Sequence, residues 1–245
     1  MKRTKSVEHK KDSRKLLCEN LGFAASEAYK LLRTNIAFSL GKSSDCPVIG
    51  ITSSDSGEGK TTVAINLAYT LAEGGKKTLI IDGDLRLPAI SKYLSIKRTP
   101  GLSDLLAGLS DKASCIKPSG IIEHWDVLTA GTIPPNPSEL LACTAMRDWI
   151  NKLRSQYDFI IIDLPPVGIV SDALSVSEYI DGLIMIVRQN YTRRRALANS
   201  SSILRPLGNK LLGIVVTDST SNKKDYYYHS YAYGDESKGK RSEEG

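Results

Sequence analysis

One stretch of the sequence restricts the fold more than any other. An apolar run, PVIGITS, leads directly into the glycine-rich segment SDSGEGKTT, and an amphipathic segment follows. Gly57 and Gly59 allow backbone amides to close around an anion, and the start of the next helix adds the positive end of its dipole. Lys60 is spaced to reach the β- and γ-phosphates of a nucleotide, and the Thr61 hydroxyl to contact Mg²⁺. The pattern predicts a phosphate-binding P-loop.

The loop is a variant form, because Ser54 stands where the strict pattern has glycine. A chance glycine-rich turn is the alternative interpretation, and the apolar run before the loop and the helical pattern after it disfavour that alternative. The predicted nucleotide-binding residues are Ser56, Gly57, Glu58, Gly59, Lys60, Thr61 and Thr62.

Aspartates follow two further apolar runs. Asp82 and Asp84 come after the run 78–81, and Asp163 comes after the run 159–162. Asp82 and Asp84 are two residues apart, so on an extended chain they point to the same side. Carboxylates beside a nucleotide can hold magnesium and accept a proton from an incoming hydroxyl, although aspartates that cap a turn are an alternative. The predicted metal site consists of Thr61, Asp82, Asp84 and Asp163.

Strand-like and helix-like segments alternate along most of the chain. Apolar, β-branched runs at 48–52, 78–81, 159–162, 183–187 and 211–216 are typical of strands buried on both faces of a parallel sheet. Helical patterns lie between them, including one continuous helix over 137–155. The alternation predicts an α/β fold of the P-loop NTPase type, with a mostly parallel sheet and helices on both faces.

The two ends of the chain differ from the middle. Residues 1–23 form a basic arm, predicted to be flexible and able to approach anionic lipid or an acidic partner. Residues 219–245 are polar and predicted to be disordered, yet they hold five of the eleven tyrosines. These tail tyrosines are Tyr226, Tyr227, Tyr228, Tyr231 and Tyr233. Exposed phenols on a flexible tail beside a nucleotide site suggest that these tyrosines are phosphorylated. The alternative is a disordered end that binds other surfaces without specificity.

Composition disfavours several classes of function. The four cysteines are scattered and only three histidines are present, so a zinc site is not expected. The basic residues form no stripe with interleaved aromatic residues, which disfavours nucleic-acid binding. No apolar run has the length of a membrane span, and the basic start lacks the apolar stretch of a signal peptide. We expect a cytoplasmic protein whose membrane role requires a partner.

Taken together, these motifs resemble the bacterial tyrosine kinases of the capsule and exopolysaccharide type, in the form whose cytoplasmic kinase is a separate polypeptide. The Walker A loop of that family is similar to SDSGEGKTT, its second Walker motif to IIDGDLR, and its Walker B motif to IIIDLPP. The resemblance implies ATP and Mg²⁺ as cofactors, a kinase domain over 24–218, and autophosphorylation of the tail tyrosines. It implies catalytic roles for Lys60, Asp82, Asp84 and Arg86, with Asp82 nearest the tyrosine hydroxyl and Arg86 stabilising charge.

The same resemblance implies an assembly. In relatives an E-x-x-R-x-x-R helix joins subunits into a ring, in which each copy offers its tail to the next active site. Within 24–40 here, Glu27 and Arg33 match and Lys30 replaces arginine, which keeps the charge but loses the bidentate fork. An amphipathic helix with surface charges is the alternative. Further implied partners are a transmembrane activator that recruits the kinase to the inner face of the membrane, protein tyrosine substrates and a cognate phosphatase.

Two other functions fit the P-loop. Chromosome-partitioning and division-site ATPases share the scaffold, but they carry a signature lysine early in the loop, where Asp55 stands here. A nonenzymatic, ATP-dependent assembly switch, whose tail only binds a partner, is the second alternative. Phosphotyrosine formed from ATP by the purified protein distinguishes the kinase from both.

Overall fold

Apolar runs of β-branched residues form the centre of a seven-stranded sheet. The computed structural model describes residues 18–41, 45–170 and 172–219. The strands are β1 (Val48–Ser53), β2 (Thr78–Asp82), β3 (Ile116–Pro118), β4 (Trp125–Leu128), β5 (Phe159–Asp163), β6 (Gly182–Arg188) and β7 (Leu211–Thr217). Their order across the sheet is β3-β4-β2-β5-β1-β6-β7, and every neighbouring pair is parallel except β3–β4.

Helices cover both faces of this sheet. They are α1 (Phe23–Leu40), α2 (Lys60–Glu73), α3 (Ile90–Tyr93), α4 (Leu102–Leu106), α5 (Lys112–Cys115), α6 (Pro137–Ala142), α7 (Thr144–Arg154), α8 (Asp172–Ser175) and α9 (Arg194–Leu204). Two 3₁₀ segments, Cys18–Asn20 and Arg205–Lys210, complete the described elements. The α/β class and the mostly parallel sheet with helices on both faces are confirmed.

The two faces have separate apolar cores. On one face, α2 packs Val63, Leu67 and Leu71 against the centre of the sheet. On the other, α7 presents Met146, Ile150 and Leu153, whose spacings of four and three residues place them on one side of the helix. Each such side chain contributes about 2 kcal/mol when fully buried. Because both faces are covered, the central strands are apolar throughout, as the uninterrupted runs in the sequence indicate.

The predicted continuous helix over 137–155 is wrong. Cys143 has extended backbone angles (φ −70°, ψ 154°) and separates α6 from α7. The sequence has no proline or glycine there to signal the break. The short elements α3, α5 and β3 are not predicted from the sequence, because a segment of four or fewer residues is too short to show a periodic pattern.

Helix α1 packs the buried Ile36 into the same apolar cluster as α2 and adds a few polar contacts. The Arg33 guanidinium donates from Nη1 to the Thr70 carbonyl at 2.8 Å. The Asn66 amide donates from Nδ2 to the Tyr29 hydroxyl at 3.3 Å, and its Oδ1 accepts from the Cys18 backbone amide at 2.9 Å. The last residues of the predicted arm therefore pack on α2. No helix in the described ranges is both long enough and apolar enough to cross a membrane.

Candidate active site

The P-loop joins β1 to α2, where parallel-strand ends and a helix N-terminus meet. Gly57 and Gly59 have φ of +82° and +94°, a region that side-chain-bearing residues rarely adopt, so the glycines are required for this turn. Ser56 and Gly57 are exposed, and Thr62 is half-buried in the first turn of α2. The loop thus turns its backbone outward at the carboxyl edge of the sheet, where α/β folds bind ligands.

Glu58 braces the loop from the inside. Its side chain is fully buried, and Oε2 accepts the backbone amides of Ser54 at 2.8 Å and Asp55 at 3.1 Å. Its other oxygen, Oε1, accepts the Thr192 hydroxyl at 2.6 Å. Glu58 is one of the predicted nucleotide-binding residues. In the structure the Glu58 carboxylate fixes the conformation of the loop. Only the backbone of Glu58 is therefore available to bind the nucleotide.

Lys60 connects the loop to the acidic strand ends. Its Nζ lies 2.9 Å from Asp84 Oδ2 and 3.4 Å from Asp163 Oδ1. The Thr61 hydroxyl donates to Asp163 Oδ2 at 2.6 Å. Burial lowers the pKa of Lys60, but the attraction of Asp163 and Asp84 outweighs it and leaves that pKa above its ordinary value. The structure therefore brings four of the predicted site residues, from α2, β5 and the segment after β2, into one contact network.

Asp82 is the most buried of the predicted catalytic carboxyls. It has no solvent exposure, and its Oδ2 accepts the Ile90 backbone amide at 3.1 Å. Its Oδ1 has no hydrogen-bond partner among the described residues. Desolvation, with the nearby charge of Asp163 as the next cause, raises the pKa of Asp82 to about 8. Burial also raises the pKa of Asp163, and Lys60 and Thr61 oppose that rise.

Arg86 has partners that the sequence did not reveal. Its Nε donates to Asp172 Oδ2 at 3.1 Å, and its Nη2 donates to the Ser138 hydroxyl at 2.8 Å. The Ser138 hydroxyl in turn donates to the fully buried Asp172 Oδ1 at 2.5 Å. Because these residues come from the segment after β2, from α6 and from α8, no local motif indicates the cluster. It fixes the segment that follows Asp84.

A second set of contacts that no sequence motif indicates comes from the ends of β6 and β7. The Thr217 hydroxyl donates to the Glu58 carbonyl at 2.7 Å, and Arg188 Nη1 donates to the Gly57 carbonyl at 3.3 Å. Arg188 also pairs with Asp218 at 3.0 Å. The ends of β6 and β7 thus hold the outer side of the P-loop, as the acidic strand ends hold its inner side.

The residues around Lys60 fit a magnesium ion, provided that the nucleotide supplies further ligands. Mg²⁺ prefers oxygen ligands and is usually bound by one or two carboxylates together with substrate phosphates and water. Thr61, Asp84 and Asp163 offer such oxygens, and the unpartnered Oδ1 of Asp82 is a further one. No three acidic, histidine or cysteine side chains in the described ranges are close enough to hold an ion by themselves. The fit therefore depends on ligands supplied by the nucleotide.

The remaining predicted residues lie elsewhere. Glu27 and Lys30 pair with each other on exposed α1 at 2.8 Å, whereas Arg33 is half-buried against α2. All five tail tyrosines fall outside the described residues.

Comparisons with known proteins decide the family. Residues 46–198 match the AAA domain family. The tyrosine-protein kinase YwqD of Bacillus subtilis is 36% identical over 202 residues, which cover 82% of this chain and 84% of YwqD. The tyrosine-protein kinase CpsD of Streptococcus pneumoniae serotype 4 is 36% identical over 208 residues, covering 84% and 88%. The chain belongs to the bacterial tyrosine-protein kinase family.

Solved structures agree with this assignment. The chimerical protein CapA2B2 superposes with a TM-score of 0.77 at 35% identity, over 84% of this chain and 89% of its own. The kinase domain of the Escherichia coli tyrosine kinase ETK gives 0.76 at 30% identity, over 84% and 82%. The septum site-determining protein MinD of Pyrococcus horikoshii, complexed with Mg-ADP, gives 0.56 at 28% identity, over 69% and 68%. The likeness to the kinases is therefore closer than the likeness to this division-site protein, and the kinase prediction is supported over the division-site alternative.

Proposed function

We propose that this tyrosine kinase transfers the γ-phosphoryl group of MgATP to the tail tyrosines of another copy of the same chain, and that this reaction regulates capsule or exopolysaccharide synthesis. The observation that carries the proposal is the contact network of Lys60 with Asp84 and Asp163 beside the P-loop. Phosphoryl transfer needs little covalent chemistry from the protein, so positioning and charge neutralisation supply most of the catalysis.

Lys60 and Thr61 change partners when the nucleotide binds. In the structure both contact carboxylates, Lys60 with Asp84 and Thr61 with Asp163. Phosphate oxygens replace Asp84 as the partner of the Lys60 ammonium group, which neutralises the charge that develops during transfer. Mg²⁺, when bound, would neutralise further charge on the phosphates; Thr61, Asp84 and Asp163 would hold it, with Asp82 as an additional ligand.

Asp82 and Asp84 are the two candidates for the group that accepts the tyrosine proton. A free phenol has a pKa of about 10, so its proton leaves with or after formation of the bond to phosphorus. With a pKa of about 8, the Asp82 carboxyl is mostly protonated at neutral pH in this structure, and it accepts the tyrosine proton only in its ionised form, which a cation bound beside it would favour. Because Asp82 has no solvent exposure, the segment from Gly83 to Ala89 must open before a tyrosine reaches it. Asp84 needs a smaller movement, since it lies beyond the strand end.

The acceptor tyrosines arrive from a neighbouring copy. Helix α1, which contains Glu27, Lys30 and Arg33, exposes the large apolar side chains of Phe23, Leu31 and Phe38, at 72%, 61% and 82% exposure. Exposed apolar groups of this size on one helix are typical of an interface. We propose that α1 joins copies into a ring, in which the kinase domain 24–218 of one copy receives the tail 219–245 of another. Holding the tail within a ring raises the effective concentration of its tyrosines at the active site.

The cellular partners are proposed from the family. A transmembrane activator recruits the kinase to the cytoplasmic face of the membrane, and a phosphatase reverses the modification. As phosphate accumulates, each tyrosine gains close to two negative charges, which loosens the ring by repulsion. Replacing all five tail tyrosines with Glu should therefore lower the sedimentation coefficient relative to replacement with Phe. Identical sedimentation of the two variants would rule out this effect.

The direct test is mass spectrometry of the tail after incubation of the purified protein with MgATP, with and without a candidate activator. We expect phosphotyrosine on the tail of the wild-type protein and none in the Lys60→Met variant. If no phosphotyrosine forms in either condition, the kinase proposal fails and the assembly switch becomes the better interpretation.

A further inference from the structure

Tyrosine side chains in the described part of the chain differ sharply in their accessibility. Of the six tyrosines there, five are buried or half-buried, and Tyr191 is the single one that is exposed, at 52%. The Tyr157 hydroxyl donates to Asp126 at 2.8 Å and the Tyr179 hydroxyl donates to the Leu141 carbonyl at 3.0 Å. Burial raises the pKa of both phenols above the ordinary value. Buried and hydrogen-bonded phenols cannot enter another protein's active site, so Tyr191 is the most accessible acceptor among the tyrosines that the structure describes.

Tyr191 also contacts the P-loop. It lies in the turn between β6 and α9, and its hydroxyl donates to the Ser56 carbonyl at 3.2 Å. A Cβ atom built on Gly57 would be 3.2 Å from the same hydroxyl oxygen, so the phenol rests directly against the loop. The next residue, Thr192, bonds Glu58 inside the loop. The turn 189–193 therefore holds the P-loop from outside, and Tyr191 forms its exposed contact.

Arg188 contacts the ring of this phenol, and three more arginines follow it in the sequence. The Arg188 guanidinium carbon lies 5.2 Å from the centre of the Tyr191 ring. Arg193, Arg194 and Arg195 follow two residues later; all three are exposed, and none forms an ion pair with a residue that the structure describes. Phosphate groups pair strongly with arginine. A phosphate on Tyr191 would have arginines near it and would compete for Arg188, which otherwise donates to the Gly57 carbonyl.

We propose that Tyr191 is a second phosphorylation site of this kinase, modified by another copy, and that its modification weakens nucleotide binding. This inference rests on the kinase activity proposed above. In the reaction the bond between the γ-phosphorus and the bridging oxygen of ATP breaks, and a bond from that phosphorus to the Tyr191 oxygen forms. The phenol proton passes to a carboxylate of the catalysing copy, and ADP leaves.

Three physical consequences follow from the modification. The esterified oxygen has lost its proton, so it can no longer donate to the Ser56 carbonyl. The phosphate places close to two negative charges beside a loop that must hold the anionic phosphates of ATP. Arg188 turning towards the new phosphate also releases its contact with Gly57. All three changes lower the affinity for nucleotide, so the site acts as a brake on the kinase.

The first test asks whether the phosphate forms. The acceptor is the full chain with Lys60→Met and all five tail tyrosines changed to Phe, which cannot catalyse and carries no tail acceptor. It is incubated with wild-type protein and MgATP, and its peptides are sequenced by mass spectrometry. We expect phosphate on Tyr191, and its absence when Tyr191→Phe is added to the acceptor. Phosphate on the wild-type tail together with an unmodified Tyr191 would overturn this inference while the kinase proposal stands. No phosphotyrosine on either protein would overturn both.

The second test asks what the modification does. Binding of a fluorescent N-methylanthraniloyl ADP with Mg²⁺ is measured for wild type, Tyr191→Phe, Tyr191→Glu and the control Ser201→Glu, which adds the same charge at an exposed position of α9. Loss of one hydrogen bond should raise the dissociation constant of Tyr191→Phe about fivefold, and added charge should raise that of Tyr191→Glu at least about tenfold. Equal dissociation constants for Tyr191→Glu and Ser201→Glu would overturn the proposed brake.

Discussion

Two lysine–carboxylate pairs in this molecule have almost the same geometry and opposite surroundings. Lys60 lies 2.9 Å from Asp84, and Lys30 lies 2.8 Å from Glu27. The Lys60–Asp84 side chains are 13% and 5% exposed, whereas those of Lys30 and Glu27 are 44% and 49% exposed. In water an ion pair of this kind contributes little, but a buried charge that loses its partner is strongly unfavourable. The Lys60–Asp84 pair is therefore part of a preorganised site at the edge of the sheet, whereas the Lys30–Glu27 pair lies on the solvated surface of α1.

Of the substitutions that test this contrast between the two ion pairs, removal of Lys60 should have the largest effect. The Lys60→Met variant loses the cation that neutralises the transferred phosphoryl group, so we expect its rate of tail phosphorylation to fall at least about 100-fold. In the absence of nucleotide the variant also leaves Asp84 and Asp163 unpaired, and its free energy of unfolding should fall by about 3 kcal/mol. Phosphotyrosine formation and urea unfolding measure the two effects. A variant that keeps wild-type phosphorylation would show that Lys60 does not act on the phosphates.

The next effect concerns the buried carboxyl of Asp82 and depends on pH. Its pKa of about 8 in the folded protein exceeds the ordinary value of 3.8, so the folded state retains a proton that the unfolded chain releases. The stabilising contribution is complete below pH 4 and is lost as pH rises towards 8, by about 1.4 kcal/mol per pH unit at most. The asparagine in Asp82→Asn does not titrate, so this variant does not lose stability in that way as pH rises. Without nucleotide and metal, we expect the stability of the variant relative to wild type to increase from pH 5 to 8.

Measurement of unfolding free energies for both proteins at several pH values checks this expectation, with Asp126→Asn as a control at a carboxyl whose partner is Tyr157. A constant difference between Asp82→Asn and wild type over this range would mean that Asp82 is already ionised in the folded protein.

These two predictions also show what the sequence could supply. The P-loop and the runs that become β1, β2 and β5 are local patterns, and they sufficed to predict the parallel sheet and the approach of Lys60 to Asp84 and Asp163. The contact of Glu58 with Thr192 spans 134 positions and that of Arg86 with Asp172 spans 86, and neither has a local signature. The helix break at Cys143 occurs without a proline or glycine, so no residue there signals it.

A smaller effect is expected at the contact between α1 and α2. Replacing Arg33 with Met removes a charged donor from the Thr70 carbonyl and should lower the free energy of unfolding by about 1–2 kcal/mol. If Arg33 served only contacts between copies, its replacement would change sedimentation and leave the unfolding of dilute protein unchanged. Urea unfolding and sedimentation of one preparation therefore distinguish the two roles.

The smallest effect belongs to the exposed pair on α1. Lys30→Met breaks the contact with Glu27 at the surface, and we expect no measurable change in the unfolding of dilute protein. The same variant should lower the sedimentation coefficient at high concentration if α1 joins neighbouring copies. Glu27→Gln is the matched variant from the other side of the pair. A marked loss of stability in either variant would contradict the contrast between the two ion pairs.

Mixing two variants tests whether the Lys60 site of one copy phosphorylates the tail of another. Lys60→Met keeps the tail tyrosines but lacks the lysine proposed to act on the phosphates, and the variant with all five tail tyrosines changed to Phe has the reverse defect. Each is incubated with MgATP alone and in a mixture, and tail phosphotyrosine is measured by mass spectrometry. We expect phosphate on the Lys60→Met tail in the mixture and none on that tail when this variant is incubated alone. Tail phosphate in the wild-type protein but none in the mixture would rule out transfer between copies.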